Sequence, residues 1–427
     1  MIRIIPVIFL LPSLLFSQYI PKIRFTVAPW VQNCLVKDSS VRDYYKVSPF
    51  TGISVYATPE DKKKDKPEFN VSPQEFLLAK AYFENQPFDS CWKLFCSGAH
   101  VFNSPAPQLR LPVDDLKPLA GLRIALDPGH IAGDYPTARL ERKSVQIKKD
   151  SLKGIYQHDT IIEGKLTLAT ALLLKKKLED AGATVFITRE KDNFSAFGKD
   201  YDSWVKEDMK RCLDSAVSRG HISPREKTIY TTKPQRKVIF REFFLQEDLR
   251  ERARRINAFN PDLTIIIHYN VDEKNEGWTK PTKKNFCMAF IPGAFMGGRM
   301  EKKEARFNLF RLLLTDDLAA SAVMAGLLCE QFQNDLNVSL AGPEDAAYLK
   351  ESCTQAPPPQ KGVYCRNLAL TRLISGPVVY GESLYQDNLD EYKNLSIKNF
   401  KDGKTPDRVV KVAEAYYKAI LAYFLNN

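Results

Sequence analysis

The chain has 427 residues, 44% hydrophobic and 26% charged, which excludes a disordered or fibrous polymer and allows two domains or one large domain with insertions. Its 62 Lys+Arg against 51 Asp+Glu give a formal net charge of +11, the balance of a protein drawn to an anionic polymer or to lipid head groups. Nucleic acid is not the reading: the densest arginine run, Arg250 to Arg255, is interleaved with Asp248 and Glu251, and the i,i+4 pairs Asp248–Arg252 and Glu251–Arg255 predict a self-paired, solvated helix face.

At the start of the chain, Arg3 precedes an apolar run, Ile4 to Phe16, which is too short to span a bilayer and is followed by the small Ser17. Residues 1–17 therefore read as a secretory signal peptide rather than an uncleaved anchor. No later apolar run reaches the roughly 18 residues of a membrane helix. The mature chain is expected to be exported, periplasmic or extracellular, with no transmembrane segment. Eight cysteines suit that compartment. Cys353 and Cys365 bracket a Pro-rich loop that a bridge between them would close, Cys91 and Cys96 are near enough to pair only across a turn, and both pairs read as disulfides or as buried thiols. Connectivity stays open.

Residues 18–118 form an N-terminal region whose sequence points to no particular role. Ser72-Pro73-Gln74-Glu75 opens a helix in capping-box fashion, with Leu77, Leu78, Ala81 and Tyr82 at helical spacing behind it. A second helical stretch runs through Trp92, Leu94 and Phe95, giving a smaller, helical region with the outline of one tetratricopeptide unit but no repeat. Pro105, Pro107, Pro112 and Pro118 mark a linker.

From 119 to 427 the pattern is α/β. Leu122 to Leu126 reads as a buried strand stopped by Asp127-Pro128-Gly129, which delivers His130 at its carboxyl end, where open α/β sheets place ligands. After a polar loop, 131–162, Glu163 heads a helix with Leu166, Ala169, Leu173, Leu174 and Leu178 on one face. Thr184 to Thr188 is a strand, 192–245 a mixed-charge insertion, and Asp248 to Phe259 a helix. Leu263 to Ile267 then runs as a strand into His268. A second insertion, 271–316, includes a short strand ending at Ile291 and a stretch, 292–316, that reads as a mobile flap or an added helix. Asp317 to Phe332 is a helix, Pro377 to Tyr380 a strand ending at Gly381-Glu382, and Arg408 to Leu425 the closing helix. The alternation predicts a twisted mixed sheet with helices on both faces.

Taken singly, His130 reads as a turn histidine, Glu163 as a charge complementing a helix dipole, and Glu382 as a surface carboxylate. Together they read differently. Only five histidines are present, and two of them end strands. Two imidazoles and a carboxylate on separate elements suit Zn²⁺ with an open position for water. Glu382, closing a third apolar strand, is placed to take a proton from that water and return it to a leaving amine. The chemistry is metal-assisted hydrolysis of a peptide or amide bond.

Four segments carry a resemblance: LRIALDPGH at 122–130, EGKLTLATALLLKKKLEDAGATVFITR at 163–189, LRERARRINAFNPDLTIIIHYN at 249–270 and PVVYGESLYQDN at 377–388. In this order they resemble the motifs of the zinc-dependent N-acetylmuramoyl-L-alanine amidases of type 3, which cut peptidoglycan. The resemblance implies zinc ligands His130, Glu163 and His268, with Glu382 as general base. It also implies cleavage of the amide between the lactyl group of N-acetylmuramic acid and L-alanine. Some members carry an inserted helix that plugs the site until an activator protein removes it, and 292–316 is the matching candidate here. The chain departs from the family at Ile131-Ala132, where two glycines are usual, at Tyr269, where a small residue is usual, and at Ser383-Leu384, where Thr-Gly is usual. Two rivals lack their signatures. Another zinc peptidase would need His-Glu-x-x-His or a His-x-x-Glu pair, and Gly133 stands at the latter position; a serine hydrolase would need Gly-x-Ser-x-Gly. The third, a catalytically inactive wall-binding homologue, predicts no zinc and no effect of Glu382→Ala.

Overall fold

The computed structural model describes residues 27–102, 117–147, 160–357, 360–396, 399–400 and 404–425. The expected signal peptide and most of the proline linker lie outside them. The N-terminal region is not purely helical. Tyr45–Ser48 (β1), Gly52–Val55 (β2) and Phe69–Val71 (β3) form an antiparallel sheet in the order β1-β2-β3. Gly52, at φ +80°, is required there because a Cβ would lie 1.9 Å from the Val71 carbonyl oxygen. The helices Phe76–Asn85 and Phe88–Ser97 follow. The Ser72–Glu75 box forms, with the Ser72 amide 3.0 Å from Glu75 Oε2, but the helix proper starts after it.

Strands β4 (Arg123–Pro128), β7 (Thr184–Ile187), β8 (Leu263–Asn270), β9 (Phe286–Ile291), β11 (Cys353–Gln355), β12 (Val363–Arg366) and β13 (Val378–Tyr385) run in the order β11-β12-β9-β13-β8-β4-β7. A short strand, β10 (Ser339–Leu340), adds to β9, and β5 (Ser144–Val145) pairs with β6 (Ile161–Ile162) apart from this sheet. The sheet is mixed: β7, β4, β8 and β13 are mutually parallel, and β9 is antiparallel to β13. Its central strands are buried on both faces, as their unbroken apolar runs require. Ile124, Leu126, Ile265, Ile267 and Val379 join the main core. That face is covered by the helices Glu163–Asp180, Asp317–Leu336 and Asp407–Leu425. Ala125, Ile266 and Val378 point the other way, toward Ala253 and Ile256 of the helix Leu245–Phe259.

The stretch 292–316 resolves into an added helix, Lys303–Leu314, in which every residue from Ala305 to Leu314 is buried. It packs on β2 and the helix Phe76–Asn85 rather than on the three expected zinc ligands. Phe307 and Phe310 meet Phe69, Phe83 and Phe95 at ring distances of 4.8–6.2 Å, and Arg306 pairs with Glu68 at 2.7 Å. The insertion 192–245 builds a satellite core from Tyr201, Trp204, Leu213, Phe240, Phe243 and Phe244. Ile131 inserts into that core.

The cysteine pairs considered from sequence are not formed; all eight thiols are free. Cys353 lies opposite Arg366, and Thr354 opposite Cys365, so alternation puts Cys353 and Cys365 on opposite faces of the sheet. Cys91 and Cys96 share one helix at i,i+5, one buried and one exposed. Among the described residues no single helix is long and apolar enough to cross a membrane.

Candidate metal centre

β4 ends in a turn that throws His130 into the left-handed region at φ 60°, an unusual conformation for a non-glycine residue. The turn is bolted from below. Arg252 donates to the carbonyl oxygens of Pro128 (3.0 Å) and His130 (3.3 Å), and its Nε donates to Asp248 at 2.6 Å. Asp127 lies 3.4 Å from the same guanidinium and accepts the Thr188 hydroxyl at 2.5 Å. Arg252 and Asp248 are thus buried, not a solvated face, since the i,i+4 spacing is the same whichever way a helix turns. The Asp248–Arg252 pair therefore forms, but the other expected pair, Glu251–Arg255, does not. Glu251 pairs with Arg254, and Arg255 donates to the carbonyl oxygen of Ala196.

Glu163 is the first residue of the helix Glu163–Asp180, where the positive end of the helix dipole favours a carboxylate. Gly164 lets this helix end approach the metal loop, since a Cβ there would sit 2.3 Å from the Ala132 carbonyl oxygen. His268 comes from the carboxyl end of β8, and its ring crowds Gly129 so closely that a Cβ would fall 2.1 Å from Nε2. Tyr380 stacks on the other side of that ring at 4.1 Å.

These elements bring three of the four expected side chains together. Ligand atoms of His130, Glu163 and His268 lie within 4.8 Å of one another. His268 Nδ1 is 3.0 Å from Glu163 Oε1, and His130 Nε2 is 3.3 Å from Glu163 Oε2. The fourth, Glu382, is paired in register with His268 across the parallel strands β13 and β8, which sets the two on one face of the sheet. Glu382 is buried, with Oε2 lacking any hydrogen-bond partner.

Glu141 was not anticipated. It ends the helix Tyr135–Glu141 within the polar loop, accepts the amides of Ile131 and Ala132 at 3.1 Å, and lies 3.0 Å from His130 Nδ1. A carboxylate on the far nitrogen of a histidine is the usual support for a metal ligand. It leaves Nε2 as the free face of His130, and that atom is buried without a hydrogen-bond partner. Lys143 was also missed. Its Nζ is 3.7 Å from Glu163 Oε2 and lies over the Trp278 ring at 5.0 Å.

The site sets its titratable groups far apart. Burial, then the charge of Glu163, push Glu382 up to about 8. Burial pushes His268 down to about 4, despite its bond to Glu163. Burial opposes the charge of Glu163, but His130 and Lys143 hold its carboxyl well below the usual carboxylate range. Glu141 falls to about 2, because the charge and hydrogen bond of His130 and two backbone amides outweigh burial. The donor set fits zinc: two imidazoles and one carboxylate converge, and a buried imidazole nitrogen, His130 Nε2, has no hydrogen-bond partner and only the Glu163 carboxylate at 3.3 Å beside it.

The departures from the family pattern have structural uses. The Ile131 side chain anchors the insertion, the Tyr269 hydroxyl is 2.7 Å from that of Thr170 on the helix headed by Glu163, and Leu384 is buried in the main core.

Residues 124–422 match the family model described as N-acetylmuramoyl-L-alanine amidase. No curated protein matches the chain. Among solved structures the chain is similar to the CwlD amidase from Clostridioides difficile in complex with the GerS lipoprotein, at 18% identity over 72% of this chain and 100% of that one, with a TM-score of 0.39. It is similar to the amidase Ami1 from Mycobacterium smegmatis at 16% identity over 72% and 99%, TM-score 0.39. For the amidase AmiC2 of Nostoc punctiforme the figures are 12%, 72% and 99%, and 0.37.

Proposed function

The chain belongs to the N-acetylmuramoyl-L-alanine amidase family and is a peptidoglycan amidase, and from that premise we propose that His130, Glu163 and His268 hold one zinc ion while Glu382 is the general base. The observation that carries the ligand assignment is the convergence of the three donors within 4.8 Å around an imidazole nitrogen with no hydrogen-bond partner. When bound, zinc supplies Lewis acidity to the scissile carbonyl and makes water a stronger acid.

The remaining work falls to the chain. Glu141 fixes the tautomer and direction of the His130 ring through its bond to Nδ1. The Tyr380 face and the close approach of Gly129 hold the His268 ring from its two sides. Glu382 Oε2, buried and unpartnered, is placed to accept the proton of the attacking water once its carboxyl is ionised beside a neighbouring cation. A carboxyl that burial makes reluctant to ionise also gives that proton up less readily to solvent, and so passes it to the leaving L-alanine amine.

We further propose that the chain is exported, with residues 1–17 as its signal peptide, so that its basic surface meets the cell wall. An activator that unplugs the site would act on a segment other than 292–316, because the helix there is core.

Mass spectrometry of digested purified peptidoglycan tests the reading. Free stem peptides with an unblocked L-alanine amine are expected, and muropeptides cut within the stem would overturn it. Elemental analysis should find zinc in the wild type and none in His268→Ala.

A further inference from the structure

Two neighbouring cavities open on the helix Leu245–Phe259, and neither is lined by His130, Glu163, His268 or Glu382. The larger, about 580 Å³, holds charges that are already paired: Arg211 with Glu247 at 2.6 Å, Arg254 with Glu251 at 2.7 Å, and Lys199 with Asp208. The smaller, about 150 Å³, is different. Arg250, Arg299, Lys302 and Arg372 line it from three separate segments, Arg299 and Lys302 sharing one turn, against one carboxylate, Glu304. Among the described residues, the side chains of Arg250, Arg299, Lys302 and Glu304 make no ion pair or hydrogen bond, Glu304 being met only at its carbonyl oxygen by Asn308. Arg372 donates only to Asn367 Oδ1, at 2.8 Å.

Arg250, Arg299 and Lys302 reach solvent, so the cost of this uncompensated charge falls on the half-buried Arg372. Burial lowers the Arg372 guanidinium, and repulsion from Arg299 and Arg250 adds to this against the pull of Glu304. The helix Lys303–Leu314 also begins at this cavity, with no side chain capping its first turn.

We propose that this cleft binds the phosphate group of a larger ligand, a phosphate ester. Four cations less one carboxylate leave three positive charges, more than a single carboxylate ligand can balance and closer to a phosphate, which carries about −1.5 to −2 at neutral pH. Guanidinium groups suit it through paired N–H donors. The larger cavity shares Arg250, Glu304 and Leu373 with the cleft and offers Phe88 and Phe197, so the uncharged remainder of the ligand lies along its wall. The ester is either soluble or the head group of a phospholipid.

The test uses the whole chain and two probes: glycerol 3-phosphate, by isothermal titration at constant ionic strength, and phosphatidylglycerol vesicles, by co-sedimentation against phosphatidylcholine vesicles. Saturable binding of at least one probe is expected. Arg299→Glu and Arg372→Gln should each weaken it by about tenfold or more. Lys210→Glu and Lys237→Glu, which change exposed lysines on the insertion 192–245, should leave it unchanged. Binding of glycerol 3-phosphate identifies a soluble ester, and binding of vesicles alone a lipid head group. The proposal is overturned if neither probe binds, or if the insertion variants weaken binding as much as the cleft variants. Arg299 is exposed and unpaired, so Arg299→Glu keeps the test decisive if Arg372→Gln does not fold. None of these readouts depends on hydrolysis, so the site at His130 and this cleft stand or fall separately.

Discussion

Two buried ionic clusters meet at the turn after β4 and are finished in opposite ways. Around Arg252, every side-chain nitrogen and oxygen of Arg252, Asp248 and Asp127 that is fully buried has a partner. Around Glu163, His130 Nε2 and Glu382 Oε2 are buried with none. Leaving one such atom unsatisfied costs about 1–3 kcal/mol. A fold that gives every buried atom of one trio a partner and leaves atoms unpartnered in the adjoining cluster separates a brace from a candidate receptor. On the proposed reading, a cation and a substrate complete the bonding of the second cluster.

The sharpest way to break this comparison is to alter the base. Glu382→Gln should lower turnover by roughly 10²- to 10⁴-fold while zinc content, read by elemental analysis, stays at the wild-type level. Loss of zinc in that variant would move Glu382 into the ligand set. In the brace the loss should be of stability. Arg252→Met strands two buried carboxylates and should cost about 3–5 kcal/mol in urea unfolding. An unchanged midpoint would mean that the brace is not one.

Glu141 links the two descriptions, being a fully hydrogen-bonded carboxylate in the service of an open histidine. Glu141→Gln should weaken zinc binding by about 10- to 100-fold in a chelator competition. The smallest effect concerns pH. Glu382 keeps its proton to about 8 in the folded metal-free chain, whereas the unfolded chain releases it in the ordinary carboxyl range. Stability from this residue is therefore full at low pH and lost as pH rises toward 8. His268, lowered to about 4, works in the opposite sense up to its ordinary 6.5, so the decline attributable to Glu382 is cleanest between 6.5 and 8. There the metal-free wild type should lose up to about 1.4 kcal/mol per pH unit relative to Glu382→Gln in denaturant titrations. Parallel curves would place the Glu382 titration outside that window.

How far the sequence reached follows from what each residue advertises. His268 ends an unbroken apolar run, His130 follows the turn that stops another strand, and Glu163 opens a periodic helix, so local pattern locates these residues while their joint arrangement and the resemblance suggest their role. Glu141 sits in a polar loop, and nothing but tertiary contact distinguishes it from a solvated carboxylate. Arg252 was hidden by a spacing that reads the same on either side of a helix. The aromatic core of 192–245 was masked by the charges between Trp204 and Phe240. The N-terminal strands are only three or four residues long, too short for alternation to register.

The helix Lys303–Leu314 has a practical corollary for handling the protein. It is threaded late in the chain but shelters under segments made first, with Trp92 and Phe95 lying 5.2 and 5.3 Å from Phe307. An expression fragment starting near residue 119, the obvious choice for isolating the hydrolytic half, would shed that roof and bare Phe307 and Phe310 to water. Such a fragment would be recovered as aggregate, and a nick between the halves would be tolerated only while both pieces stayed together.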